Sequence, residues 1–229
     1  MARTRDERAR WQEAQEAEVA FWRNMRSIPT YRDFDPRSYW AERFPRLGVS
    51  ADALRDQTVV EVGCGPLGMI FFLPPCGRKL GLDPLLGRFE VEDTADVDLV
   101  RAVGESLPLH DACADLVICQ NVIDHVMAPD AVLGEIRRII RPEGRLFLMA
   151  HTFPAALCPF LGFDKPHPHH WPAARLLAMV QSHGFRVEHH EQEPLRLPVK
   201  WRAIVDPRTW KQIGANLIVS STFVTARPV

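Results

Sequence analysis

Apolar positions near the start of the chain recur at helical spacing. Across residues 4–26, Trp11, Val19, Trp22 and Met25 fall on one side while Arg and Glu fill the rest, which predicts an amphipathic helix. "SIPTYRDFDPRSYWAERF" follows, with two prolines and several aromatics, and predicts a turn and a short helix from about Pro36. This N-terminal region reads either as a helical cap packed on the rest or as a lid, with Tyr39 and Trp40 facing a ligand. From residue 57 the pattern changes to short apolar runs separated by helical or polar stretches. "TVVEV", "RKLGLD", "LVRAVG", "ADLVICQ", "GRLFLMAH", "FRVEHHE" and "NLIVSSTFVTA" read as strands. "MIFFL" reads as the start of a helix stopped by "PPCG". "PDAVLGEIRRII" carries apolar residues at 132, 133, 136, 139 and 140, with Asp130 as N-cap and Pro142 and Gly144 as the stop. "WPAARLLAMVQSHG" is a helix ended by Gly184.

This alternation predicts an α/β fold: a Rossmann-like, seven-stranded, mostly parallel sheet flanked by helices, with the cap at residues 1–56 and the main domain at 57–229. In such sheets ligands bind outside the carboxyl ends of the strands. The turn after the first strand, "EVGCGPLG", places Gly63, Gly65 and Gly68 at dinucleotide-fingerprint spacing. Glu61, two residues before the first of them, is a poor neighbour for a diphosphate and suits an ammonium or a sulfonium. Asp83, at the end of the second strand, is placed to accept bonds from ribose hydroxyls, a role shared by several nucleoside cofactors. A nicotinamide oxidoreductase is therefore disfavoured by Glu61.

Composition narrows the partners. With 46% hydrophobic and 25% charged residues and a net charge of −1, the chain is an ordinary globular one with no basic field for nucleic acid. The five cysteines form no C-x-x-C pair, so reduced thiols are expected and a zinc site is not. The longest apolar run, "GMIFFLPPCG", is far short of a membrane span, and the charged N-terminus carries no secretory signal pattern. The expectation is a cytoplasmic monomer or homodimer that binds neither membrane nor nucleic acid.

Five motifs occur in order: "EVGCGPLG", "GLD", "GESLPL", "DLVICQNVIDHV" and "EIRRIIRPEG". On them the chain resembles the class I S-adenosylmethionine-dependent methyltransferases, in particular the broad small-molecule group, closely over residues 57–151 and more loosely beyond. The resemblance implies S-adenosyl-L-methionine as cofactor and methyl transfer to an O or N atom of a small molecule. The alternative is a protein of the same fold that binds the cofactor without methylating, as another catalyst or a regulatory partner. Carried over, Glu61, Gly63 and Gly65 would surround the methionine part, with Cys64 giving backbone. Asp83 would hold the ribose, and Pro84 or Leu85 would touch the adenine face. The "GESLP" segment, with Gly104, Glu105 and Ser106, would edge the adenine through the backbone N–H of Glu105 or Ser106. Gln120 and Asn121 would sit near the sulfonium, and His125 would orient its loop. Many relatives carry an acid where this chain has Val103.

After the fifth strand comes "HTFPAALCPFLGFDKPHPHHWP". His151, at the predicted strand end, is the candidate general base, since imidazole titrates near neutral pH. Asp164, His167 and His170 are candidate substrate contacts, read against the plainer possibility that these imidazoles cap the next helix or face solvent. His189 and His190 should point to opposite faces of their strand. Trp201 and Trp210 are placed either in a pocket or in the core. The (N/D)-P-P-(Y/F) motif of nucleic-acid amino methylases is missing; "QNVIDH" stands in its place.

Overall fold

A computed structural model describes residues 5–28, 31–91, 95–161, 168–195 and 207–229. The N-terminal region forms helices α1 (Arg5–Asn24), α2 (Pro36–Arg43) and α3 (Ala51–Leu54). The sheet then begins with β1 (Thr58–Val62), β2 (Arg78–Leu82), β3 (Asp98–Val100) and β4 (Ala114–Gln120). Helix α4 (Pro129–Ile139), β5 (Ile140–Thr152), α5 (Ala173–Ser182), β6 (Phe185–Pro194), α6 (Pro207–Ile218) and β7 (Ser220–Pro228) complete the chain. The seven strands lie in the order β3-β2-β1-β4-β5-β7-β6. The first five pair in parallel, and β7 runs antiparallel between β5 and β6. Strand order reverses between β1 and β4, which creates the crevice where open α/β sheets take ligands.

Two apolar layers sandwich the sheet. On one face Val60, Val117 and Leu148 meet Val132, Leu133 and Ile136 of α4 and Leu176 and Val180 of α5. Each of the three α4 residues is fully buried, a burial that contributes about 1.5–3 kcal/mol per aliphatic side chain. On the other face Val59, Leu116, Ile118 and Phe147 meet Leu47 and Leu54 from the N-terminal region and Met69 and Ile70 from the loop after β1. The N-terminal segment is also tied down by polar contacts. Asp35 caps α2 by accepting from the amides of Arg37 and Ser38, Trp40 Nε1 donates to Leu67 O at 2.7 Å, and Arg46 pairs with Glu191 and Glu193 of β6.

Several sequence-based expectations are corrected. The segment "MIFFL" makes only a single 3-10 turn at Met69–Phe71. Pro74 and Pro75 leave no room for a longer helix, and buried Lys79 ties the loop down by donating to Leu73 O at 3.0 Å and to Asp96 at 2.7 Å. Asp130 is not the N-cap of α4; Ala128 holds that position without a side-chain cap, and Asp130 lies in the first turn. Nor do Pro142 and Gly144 stop that helix, because it ends at Ile139 and the chain passes directly into β5. "NLI" belongs to the end of α6, so β7 starts only at Ser220. Gly184 ends α5 as expected, at φ +77. No helix among the described residues is long and apolar enough to cross a membrane.

Candidate active site

The end of β1 builds the first wall. Glu61 points from the sheet toward the N-terminal segment and is 1% exposed. Its carboxylate accepts from Met69 N at 3.2 Å and Ile70 N at 2.8 Å, so it organises the turn that follows it. Burial pushes this carboxyl up to about 8, and the two amide donors oppose that rise. Gly68, the third glycine of the fingerprint, is required by close packing. A Cβ there would meet Cys64 O at 2.4 Å and Glu61 Oε2 at 2.6 Å. Gly63 and Gly65 take φ +73 and +51, and the amides of Gly63 and Cys64 both donate to Leu82 O. The Cys64 side chain turns into the core, so that residue offers only backbone to the crevice.

Asp83 caps the second strand. Its two oxygens accept from Gly65 N at 3.0 Å and Leu85 N at 2.8 Å, joining the two loops that border the crevice. Burial raises its pKa and those two donors oppose the rise. Pro84 accepts from Arg101 Nε, and the side chain of Leu85 is buried. Gly104 is packed tightly, since a Cβ would lie 3.2 Å from Val132 Cγ2. Ser106 N donates to Val103 O, so this amide is committed inside its own turn rather than held out to a ligand. Glu105 accepts from Met127 N at 3.1 Å and braces the loop after β4. Arg138 of α4 pins the "LPLH" stretch by donating to Leu107 O and Leu109 O while paired with Glu135 and Asp111.

Gln120 ends β4 on the same face of the sheet as Glu61. It is 6% exposed and close enough to Glu61 to help hold that carboxyl's pKa down, but its amide makes no well-formed hydrogen bond. A buried amide left in this state costs about 1–3 kcal/mol, so it needs an explanation. Asn121 follows in the left-handed region at φ +52, which Asn tolerates better than most residues. His151 stands near the tip of β5 with Nδ1 3.5 Å from Ser221 Oγ.

Of the candidate substrate contacts, Tyr39 carries the Arg43 guanidinium 3.6 Å from its ring centroid, and Trp40 reaches the glycine turn through Leu67. His170 packs edge-on against Phe153 at 5.0 Å. Asp164, His167 and Trp201 lie outside the described residues, as does the side chain of Trp210. His169, its ring stacked on Trp171, bonds Val126 O at 2.9 Å and straps the post-β5 loop to the post-β4 loop; burial lowers its pKa. Both His189 and His190 are exposed, opposite Thr225 and Val224. No group of three His, Cys, Asp or Glu residues suited to a metal ion occurs among the described residues.

Sequence reasoning missed the role of α1. Trp22 lies over Gly65, and Glu16 forms a two-point ion pair with Arg88 at 2.8 Å. Glu18 is close enough to raise the pKa of Asp83. Trp22 was visible as part of an apolar stripe, but pairs 72 residues apart leave no local signal.

The family model described as methyltransferase domain matches residues 60–148, the stretch that holds Glu61, both loops and Gln120. Over that stretch the chain is similar to a methyltransferase domain. A human thiol S-methyltransferase, TMT1B, is 35% identical over 120 residues, covering 48% of this chain and 49% of that protein. The chain thus spans about half the length of the curated relatives it matches. The likeness of fold to solved structures extends beyond the matched stretch. A putative methyltransferase from Bacillus halodurans superposes with TM-score 0.63 at 18% identity, over 84% of this chain and 100% of that one. Geranyl diphosphate methyltransferase in complex with SAM gives 0.67 at 13% identity, over 84% and 85% of the two chains.

Proposed function

We propose that this protein is an S-adenosylmethionine-dependent methyltransferase acting on a heteroatom of a small molecule. The observation that carries the reading is Gln120, a buried amide that reaches Glu61 and leaves most of its hydrogen-bonding capacity unused, at the switch point beside two glycines turned to φ > 0. Those features fit the methionine end of the cofactor. The Gln120 amide offers both a donor and an acceptor to a zwitterion, and the glycines let the backbone approach it. The second lone pairs of the Asp83 oxygens are suited to ribose hydroxyls. Glu61 acts through the turn it holds and adds negative charge near an ammonium. When bound, S-adenosylmethionine supplies a methyl group already activated on a sulfonium.

The protein's remaining task is to align the acceptor, exclude water and accept a proton where the acceptor has one to lose. His151 is the residue in this reading that can take that proton. The reading covers O and N acceptors, and extends to sulfur, which it favours. A thiol ionises near neutral pH and needs only a weak base, and curated relatives are thiol S-methyltransferases. The segment 1–56 serves here as a lid as well as a cap, with α1 and α2 closing over the crevice.

Thermal-shift titration tests the cofactor half: S-adenosylhomocysteine should stabilise the protein and NAD(P) should not. Transfer of a labelled methyl group to small thiols, phenols and amines tests the chemistry. Stabilisation by NAD(P) alone would refute the assignment.

A further inference from the structure

A second cavity of about 340 Å³ opens at the tips of β5, β6 and β7, lined among others by Thr152, Pro154, Gln192, Leu217, Ile218 and Ser220. We infer that this cavity holds the body of the acceptor and that this body is uncharged and largely apolar; the inference rests on the methyltransferase reading above. Thr152 lies three residues beyond Met149, whose register partner is Gln120. The cavity therefore begins about 10 Å along the neighbouring strand from the cofactor-facing end of β4.

None of the described residues lining the cavity is charged. Its polar floor is already paired internally. Gln192 Nε2 donates to Thr222 Oγ1 at 3.3 Å, the Thr222 and Thr152 hydroxyls are 2.7 Å apart, and Thr152 Oγ1 lies 3.4 Å from Ser220 O. Thr152 and Thr222 are 1% and 0% exposed. An apolar body seated over Thr152 leaves the Thr152–Thr222 and Gln192–Thr222 bonds intact. A carboxylate or ammonium placed there would lose its hydration and meet no opposite charge among the described lining residues. Leu217 stands at the mouth, 77% exposed, and adds an apolar rim. Size agrees with this class, since a cavity of roughly 150 Å³ already takes a benzene ring.

The test uses phenylmethanethiol and its 4-carboxylate as matched acceptors with the full-length protein. The neutral thiol should show a KM at least about tenfold lower than the carboxylate. Ala155→Trp, at an exposed turn on the cavity wall, should raise the KM for the neutral thiol at least about tenfold while the S-adenosylhomocysteine thermal shift stays unchanged. Leu217→Lys should narrow the gap by favouring the carboxylate. Equal KM values for the two thiols, or an Ala155→Trp enzyme with unaltered KM, overturn the inference while turnover keeps the methyltransferase reading intact. Should neither thiol be turned over, an added thermal shift from the neutral one in the presence of S-adenosylhomocysteine supports the inference, and no added shift overturns it. Loss of the S-adenosylhomocysteine shift in the unmodified protein would refute the cofactor reading itself.

Discussion

The indole of Trp22 lies against Gly65: a Cβ built on that glycine would be 3.5 Å from Trp22 Cζ2. Helix α1 is thereby set across the mouth of the crevice, far from Gly65 in sequence but beside it in space, where Gly65 N donates to Asp83. The same helix is anchored at its other contact by Glu16, which grips Arg88 with both oxygens, and by Arg23 Nε, which donates to Arg88 O. An aromatic chain runs from Trp22 through Phe21, Tyr31, Phe34 and Tyr39 to Trp40, joining α1 to α2.

This contact predicts that α1 governs cofactor release. The Glu16–Arg88 pair is exposed, so its loss should have a modest effect: Arg88→Gln should speed S-adenosylhomocysteine dissociation roughly two- to fivefold, and added salt should do the same to the unmodified protein. Trp22→Ala should speed it further by removing the cover itself. Stopped-flow displacement of labelled S-adenosylhomocysteine reads the rate. Identical release rates in all three proteins would show that α1 is packing and not a lid.

Asp83 should be the strongest determinant of nucleoside affinity. Asp83→Asn keeps an acceptor for one of the two loop amides and removes the charge, so folding should survive. S-adenosylhomocysteine affinity should fall by roughly ten- to a hundredfold, the worth of a hydrogen bond to a charged group. Calorimetric titration measures it, and an unchanged Kd would remove Asp83 from the site.

Two glycines should respond to alanine in opposite directions. Gly68→Ala puts a methyl group against the backbone of Cys64 and the carboxylate of Glu61, and should destabilise by about 1–3 kcal/mol. Gly134 lies within α4 with nothing near its missing Cβ. Gly134→Ala should therefore stabilise by about 0.5–1 kcal/mol. Urea unfolding of both variants decides whether the turn after β1 is as tightly built as its contacts indicate.

The strands and α4 were readable in the sequence because burial imposes pattern. β1 and β4 are buried on both faces and appear as continuous apolar runs, while Val132, Leu133, Ile136 and Ile139 mark one helical stripe. Glu61 and Asp83 were readable from their places at strand ends. The failures have a common cause, which is competition from long-range contacts. "MIFFL" has helical composition, yet Glu61, Lys79 and two prolines hold it as one turn. Glu61 was expected to lie beside a ligand; in the structure its oxygens build the turn that follows it. Arg138, Arg88 and Trp22 act on segments distant in sequence, and one chain read alone gives no sign of such partners.

The state of Glu61 leads to a prediction about protons. Its carboxyl is raised from 4.5 to about 8 by burial, so the folded protein holds a proton there that the unfolded chain releases. Its contribution to stability is therefore complete below pH about 4.5, declines as pH rises, and is lost above about 8. The slope between those limits is at most about 1.4 kcal/mol per pH unit. A ligand that brings an ammonium beside this carboxyl favours the ionised form and must expel the proton. Binding of S-adenosylhomocysteine near pH 6.5 should then release protons, visible as a binding enthalpy that changes with the ionisation enthalpy of the buffer. Glu61→Gln should abolish that buffer dependence and flatten the stability slope. If the unmodified protein shows no buffer dependence, Glu61 is already ionised in the free protein and the two amide donors of Met69 and Ile70 outweigh its burial.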